Sequence, residues 1–583
     1  MLNIQDHTQQ SSSEPWSFLS PKRRRLLEQS WAGLFQREIL AELPVEKLSS
    51  CFTVGVGRPS KELHTVLGVL VLQQMHDLSD EETVNQLAFN IQWYYALNIT
   101  EESDSAKYMC PKTLWTMRHL AAEHELDAAA FETITDKLAT VFKVNPNQQR
   151  IDSVHITSNM RCLGRIGIFS RSLHTFLVRL KRRHKALFES IAPRIREKYL
   201  AKNALGCFSR VKPSESPKTL KQLSADLFEL LQQFKGCAEV TGMPSYQLLE
   251  RVLKEQCTLS GSDDEDATSV QVKAPKQIPS DSLQNPSDPE ATYSGHKGQG
   301  YQVQVMETYC TDEHTKAETL NLITHVQVEP AHESDAHALM PALKSTQKRG
   351  LGPKEALADS LYGSDKNCQN AEQLGVEIIA PTMGKPRQEE ETLSLSDFVV
   401  SATGDIVTCP QGYAPVSTKT KKTRHTAAFD SQHCRQCPHQ STCPVKAGKK
   451  HVYLRYTDKE LRLATRRAYE HTEEFQDRYR WRAGVEGTMS EYDRRTGVKH
   501  LRVRGFQAVR FCATLKAIGI NIFRATAVHK VIPASKNASA KAKSCHDVCI
   551  SLVKERFLAM CVNVKRILTS VNHYYEYMLI KYA

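Results

Sequence analysis

The sequence predicts an α/β protein, in which a helix-rich segment precedes a mixed sheet and a second helical segment is inserted after the first strand. Three observations carry that expectation. Apolar residues recur at three- and four-residue spacings in Leu63–Met75 and again from Val84 to Leu97, the pattern of helices with one buried face. At Gln149–Ile156 the texture changes, with Ile151, Val154 and Ile156 grouped as β-formers around Asp152 and His155, which reads as a short buried strand. Beyond residue 300 the order runs strand, strand, helix, strand, which together with the first strand describes an α/β domain.

Composition bounds the class. The chain has 583 residues, 40% hydrophobic and 24% charged, which is ordinary globular usage and excludes a wholly disordered, collagenous or membrane-spanning chain. Lys and Arg number 77 against 65 Asp and Glu, a formal charge of +12, and a basic surface concentrates polyanions such as nucleic acid or anionic lipid. Sixteen Cys are too sparse for a disulfide scaffold, and the N-terminus lacks the layout of a secretion signal, so a reducing cytoplasm is expected. The longest tight apolar run, Val66–Leu72, is far short of the ~20 residues of a membrane helix, and no span is expected.

Taken in order, residues 15–145 read as a helical N-terminal domain. Gly57-Arg-Pro-Ser60 opens one helix with Ser60 as its cap, and Ser79-Asp-Glu-Glu82 opens the next, its acids suiting the helix dipole. Short helices joined by tight turns fit a helix-turn-helix DNA reader and equally a plain helical bundle. Residues 146–160 hold the first strand. The insertion, 161–257, begins with eight basic residues and no acid between Arg161 and Lys185, either a cationic stripe for phosphates or a solvated face, and stays helical through Leu220–Leu253. Residues 258–290, with no aromatic residue and the acidic patch Asp263–Asp266, read as a linker. In 291–384, Tyr301–Met306 and Leu322–Val328 read as adjacent strands, Ser334–Arg349 as a helix, and Ala356–Gly363 as a strand ending in a turn. A cysteine-bearing insertion spans 385–470, a helix with a basic continuation 471–525, and a helical tail 526–583.

Two groups of residues carry candidate chemistry. Around Gln476–Tyr492 a helix would present Tyr479, Arg482 and Glu486 on one face, with the guanidinium one turn from the carboxylate. Residues 478–510 hold nine Lys or Arg and three acids, so Glu486 is either an ion-pair partner or a metal ligand beside a phosphate-binding surface. The second group is Cys409, Cys434, Cys437 and Cys443. Four thiolates around a CxxC knuckle suit a structural Zn²⁺ with no open position; reduced thiols, or a site in which His433 or His439 replaces a Cys, are the other readings. His155 lies three residues beyond Asp152 and reads more readily as a hydrogen-bonded core residue. Ser294–Gly300 is Gly-rich but lacks the GK[ST] ending of a P-loop, and reads as a hairpin lead-in with Lys297 as a phosphate contact. Cys545-x3-Cys549 has no partners in sequence.

Tyr479-x2-Arg482-x3-Glu486, followed by Gly497-Val-Lys-His-Leu-Arg-Val-Arg-Gly505, resembles the signature around the last acid of bacterial insertion-sequence DDE transposases. Asp152 in Arg-Ile-Asp-Ser-Val-His and Asp359 in Ala-Asp-Ser-Leu-Tyr-Gly resemble that family's first and second acids, and the Gly57-Arg-Pro start with Leu78-Ser-Asp80 resembles its helical N-terminal domain. A Cys cluster between the second Asp and the Glu is similar to one branch of the family. The likeness covers residues 15–525. It departs at position 493, an Asp where the family signature usually has Lys, with Arg494 and Arg495 alongside.

The resemblance implies a ribonuclease-H-like core that unites Asp152, Asp359 and Glu486, and a small zinc-ribbon-like insertion. It implies two Mg²⁺ (or Mn²⁺) held by those carboxylates for phosphoryl transfer on DNA. Tyr479, Arg482, Arg494, Arg495, Lys499, Arg502, Arg504 and Lys297 are the expected DNA contacts. The expected partners are double-stranded DNA, as element terminal inverted repeats and target, and a second copy of the chain in the active complex, in the cytoplasm at the nucleoid. The rival expectations are a DNA-binding protein without catalysis and a metal-dependent nuclease without strand transfer.

Overall fold

The computed structural model describes residues 2–7, 15–52, 59–201, 208, 210–260, 269–384, 392–401, 403–531, 560 and 563–571. Gly57 and Arg58, the acidic patch Asp263–Asp266, Cys545, Cys549 and most of the C-terminal tail lie outside them; within the tail, residues 563–571 are helical.

The N-terminal segment is helical as expected. Its longer helices are α1 (Leu63–Met75), α2 (Asp80–Phe89), α3 (Pro111–Glu123) and α4 (Leu126–Val141). The cap of α1 is Glu62 rather than Ser60: the Glu62 carboxylate accepts from the amides of His64 and Thr65, while the Ser60 hydroxyl accepts from the Asn3 amide of the N-terminal segment. Ser79 opens α2 with a reciprocal capping box, its hydroxyl taking the Glu82 amide and Glu82 taking the Ser79 amide.

The sheet begins with β1 (Gln148–Thr157). The insertion follows as a bundle around α5 (Arg165–Arg183), α6 (Ser216–Phe234) and α7 (Pro244–Gln256), with its own core built on Phe169, Phe176, Leu227 and Tyr246. The expected linker is structured over much of its length. Cys257–Ser260 and Ser269–Val272 pair as a hairpin, and Asp288 is buried, accepting from Ser158 Oγ at 2.6 Å and Tyr301 Oη at 2.6 Å. Its low hydrophobicity misleads because its polar side chains are used as internal acceptors.

The sheet resumes with β2 (Thr292–Ser294), β3 (Gly298–Thr308) and β4 (Ile323–Pro330), then α8 (Leu339–Lys348), β5 (Glu355–Leu357), α9 (Asp365–Gln373) and β6 (Glu377–Ile379). The strand order is β4-β3-β1-β5-β6, with the short β2 also on β3. β1, β3 and β4 are antiparallel neighbours, and β5 and β6 run parallel to β1. One face, with Val154, Ile156, Val303 and Val305, shares a core with the N-terminal helices; the other, with Ile151 and Met306, packs on Leu339 and Leu343 of α8.

The cysteine-bearing segment forms a separate sheet of β7 (Ser417–Lys421), β8 (Arg424–Phe429), β9 (Lys446–Ala447) and β10 (Val452–Thr457). Then come α10 (Asp458–Glu470), α11 (Glu473–Tyr479), α12 (Gly484–Thr496) and α13 (Phe506–Val531). α13 is long and apolar enough to cross a membrane, but 83% of its apolar window is buried against the rest of the protein, as in a core helix.

A buried ionic cluster ties these pieces together. Glu307 on β3 is 0% exposed and accepts from Arg150 Nε of β1 at 2.7 Å, Arg524 Nη1 of α13 at 2.7 Å and Thr488 Oγ1 of α12. Burial alone would raise its carboxyl, but Arg524 and Arg150 more than offset this and hold it below the usual range. Removing the acid strands two guanidinium groups inside the protein. Glu307→Ala is therefore expected to lower unfolding free energy by about 3–5 kcal/mol in urea titrations; a change under 1 kcal/mol would contradict the clamp.

Candidate active site

Asp152 lies in the middle of β1 and Asp359 two residues past the end of β5. These strands are parallel neighbours in the register Gln148↔Glu355 to Arg150↔Leu357, and carrying it two residues further sets Asp152 opposite Asp359. The Asp359 carboxylate is oriented by its own turn, accepting from the Leu361 amide at 2.8 Å and Ser360 Oγ at 3.1 Å. Asp152 accepts from the Ser153 amide at 2.8 Å.

The third acid arrives from α12. The single helix expected over Gln476–Tyr492 is instead α11, a 3₁₀ turn at Arg480–Ala483, and α12. The reason is local packing: Arg150 reaches through to donate to the Trp481 carbonyl at 2.8 Å, and a Cβ at Gly484 would lie 2.0 Å from its Nη1. The break still leaves Arg482 one turn before Glu486. Arg482 bridges two of the acids, with Nη2 2.8 Å from Asp152 Oδ2 and Nη1 3.2 Å from Glu486 Oε1, while its buried Nε has no hydrogen-bond partner. Tyr479 stacks on Phe475 and feels the charges of Asp152 and Asp359.

The structure thus brings Asp152 and Asp359 together and links Glu486 to them through a guanidinium. Glu486 is the exposed member, with 70% of its side chain open, against 17% for Asp152. The three carboxylates do not all approach within 4.8 Å of one another. Among the described residues that closeness is met by His7, Glu62 and His64, a group at the cap of α1 in which Glu62 lies 3.1 Å from His64 Nδ1 and 3.8 Å from His7 Nε2.

A fourth acid, Asp335, escaped the sequence reading. It accepts from Gln304 at 2.8 Å and pairs with Lys297 at 3.6 Å, and Lys297 donates to Ser153 Oγ at 2.9 Å beside Asp152. The only signal in sequence was a Ser-Asp pair at a helix start. Lys297 sits at the tip of the β2–β3 hairpin, as its Gly-rich context suggested. His155 is not the hydrogen-bonded residue expected: both ring nitrogens are buried without a partner, and burial followed by Lys297 pushes its pKa down.

Of the other expected DNA contacts, several are engaged internally. Arg495 pairs with Glu491 at 3.0 Å, Lys499 with Asp493 at 3.6 Å, and Arg502 with Asp77 at 2.9 Å, while Arg504 donates to the Asn159 carbonyl. Arg494 is exposed. Asp493, at the position where a Lys was expected, also accepts from the Lys499 amide and so closes the turn after α12.

The four cysteines surround one cavity with Tyr413, His433 and His439, and all are reduced. Cys437 and Cys443 sit in successive tight turns, their amides donating to the Cys434 and His439 carbonyls. Burial first, then the neighbouring three sulfurs, push the Cys434 thiol up.

Asp152 within β1, Asp359 just past the parallel β5 and Glu486 on α12 form an acidic site beside a run of basic residues. Residues 408–526 match the model of the Transposase DDE domain, and residues 27–120 match that of a Transposase domain (DUF772). Together the two matches indicate a transposase and support the bacterial insertion-sequence DDE kind. The DDE-domain match takes in Glu486 and the four cysteines and begins after Asp152 and Asp359. No curated protein matches the chain.

Burial pushes the Asp152 carboxyl above its ordinary value of 3.8; Arg482 opposes this, and Asp359 and Asp335 add to it. The folded state therefore holds the proton more tightly than the unfolded state, and stability falls as pH rises through that window, with the full cost present at neutral pH. Asp152→Asn is expected to melt higher than the native protein at pH 7, the gain disappearing below the unfolded carboxyl's value; calorimetry showing no gain at pH 7 would contradict the desolvation.

Proposed function

We propose that the protein cuts the ends of an insertion sequence and joins them to target DNA, with Asp152, Asp359 and Glu486 as its catalytic carboxylates on a ribonuclease-H-like core. The observation that carries the reading is that Asp152 on β1 and Asp359, just past the parallel neighbour β5, lie close enough to interact by charge, with Arg482 spanning Asp152 and Glu486. One strand, the turn after its parallel neighbour and one helix supply the three acids, which is close to the arrangement the family resemblance implies.

The donor set fits hard divalent ions. All three groups offer carboxylate oxygens, and a guanidinium already occupies the space between two of them, so the site accommodates positive charge. Asp152, Asp359 and Glu486 would hold two Mg²⁺ or Mn²⁺, which supply Lewis-acid stabilisation of charge developing on the attacking and leaving oxygens. Around them the chain's own residues orient the groups: the Ser153 and Leu361 amides fix the two aspartates, and Lys297 holds Ser153 and Asp335 at the rim. Exposed Glu486, with the half-buried Arg482 beside it, faces the side from which a DNA backbone would approach. DNA duplex bearing terminal inverted repeats is the substrate, a homodimer holds two ends, and the cytoplasmic nucleoid is the place of work.

Cys409, Cys434, Cys437 and Cys443 would hold a structural Zn²⁺ in a zinc-ribbon-like module, supported by the four thiols lining one cavity, two of them in tight turns.

Two measurements test this reading. Asp359→Asn is expected to reduce cleavage of element-end DNA by ~10²-fold or more, about 2.7 kcal/mol of transition-state stabilisation, with DNA binding retained; undiminished cleavage by the purified variant sinks the catalytic assignment. Freshly purified protein is expected to contain one zinc per chain, lost in Cys434→Ser/Cys437→Ser; metal analysis finding none in the native protein would refute the zinc site.

A further inference from the structure

A concentration of unpaired positive charge among the described residues lies outside the acidic site. Residues 409–457, the cysteine-bearing sheet and its loops, contain nine Lys or Arg and a single acid, Asp430. That acid is spent as a helix cap, accepting from the Gln432 amide at 2.8 Å. All nine cations are exposed, and among the described residues none is in an ion pair. The basic residues after α12 differ, since Arg495, Lys499 and Arg502 are each matched to a carboxylate.

The placement is as one-sided as the count. Lys419, Lys421, Lys422 and Arg424 crowd the β7–β8 hairpin, whose outer strand is exposed along its whole length. Lys449 and Lys450 add to the charge on the loop between β9 and β10. Like charges this close repel one another, and no ion pair among the described residues compensates them. A polyanion with regularly spaced charges does so by releasing its counterions to solution.

The module is also wired to the acids. β10 runs directly into α10, whose Arg466 donates to the Gly363 carbonyl at 2.8 Å and the Ala380 carbonyl at 3.0 Å, and whose Arg462 pairs with Asp365 at 2.8 Å. Gly363 is the end of the turn that begins at Asp359, and a Cβ there would lie 2.6 Å from Ala380 Cβ and 3.1 Å from Arg466 Nη2. The helix that follows the sheet is therefore fastened to the loop that carries the second acid.

We infer that this cysteine-bearing sheet is a sequence-independent clamp for the phosphate backbone of duplex DNA, with the β7–β8 hairpin as its main contact, holding the duplex next to the acidic site. The inference rests on the transposase reading for its partner, and is tested by binding, not by cleavage.

The experiment titrates a fluorescent random-sequence DNA duplex with the full chain over a range of salt, comparing native protein, Lys419→Gln/Lys421→Gln/Lys422→Gln, and Asp359→Asn. Three lost phosphate contacts, each worth a slope of roughly 0.9, should reduce the slope of log K against log salt by about 2.7 and the affinity at 0.15 M salt by roughly 100-fold. Zinc content should be unchanged in the triple variant, and Asp359→Asn should bind as the native protein does. An unchanged slope in the triple variant overturns the clamp even if cleavage proceeds. The same holds if the variant merely self-associates, which would make the lysines guards of an exposed sheet edge. If the native protein binds anionic vesicles but no duplex, the partner is wrong and the clamp is overturned, while the transposase reading is judged separately by cleavage of element-end DNA. Loss of cleavage in Asp359→Asn with a normal salt slope bears on the catalytic assignment alone.

Discussion

Glu307 is shut away from water in the third strand of the sheet, and side chains from three other elements converge on it. Arg150 comes from the strand that bears Asp152, Thr488 from the helix that bears Glu486, and Arg524 from the long C-terminal helix, which also pairs with Glu491. A buried charge of this kind adds little net stability compared with apolar packing, but it tolerates few alternatives, because any shift of one partner leaves another unpaired in a low dielectric. Its effect is positional. It sets the height and rotation of the Glu486 helix against the strand of Asp152, and Arg150 extends the same clamp to the backbone at Trp481, where the helix breaks.

That positioning places acids where folding alone would not put them. Asp152 is largely buried beside Asp359 and Asp335, and the cost shows in its raised carboxyl. Arg482 reduces the repulsion without removing it, since its charge is divided between Asp152 and Glu486. Crowded carboxylates that are only partly neutralised are poised to accept cations, and the fold sustains the crowding because its stability comes from elsewhere, chiefly the large core shared by the N-terminal helices, the sheet and α13.

The cysteine-bearing sheet follows a different rule. Its core is small, built on Phe398, Ile406, Phe429, Leu454 and Tyr456, and its surface is almost wholly cationic. A small sheet of this size needs a staple, and the convergent thiols are suited to provide one. Its attachment through Arg462 and Arg466 connects a surface fit for phosphates to the loop of Asp359, so the two features act as neighbours although 50 residues separate Asp359 from Cys409.

Much was legible in the sequence because it is local. The capping box at Ser79, the alternation of Tyr301–Met306 and the apolar spacing of Leu63–Met75 each depend on residues a few positions apart, and each became the element expected. The residue types and their order along the chain also named Asp152, Asp359, Glu486 and the four cysteines as candidates. Tertiary structure decided what depends on partners far away in the chain. It moved the α1 cap from Ser60 to Glu62 because the N-terminal segment claims Ser60, and it broke the helix before Glu486 because Arg150 arrives from 331 residues upstream of Trp481. It also gave structure to the apparent linker through buried Asp288, and it brought in Asp335, which only strand pairing and the Lys297 hairpin set beside Asp152. Short-range periodicity is written in the chain itself, whereas the burial and pairing of charges exist only once distant segments share the same low-dielectric space.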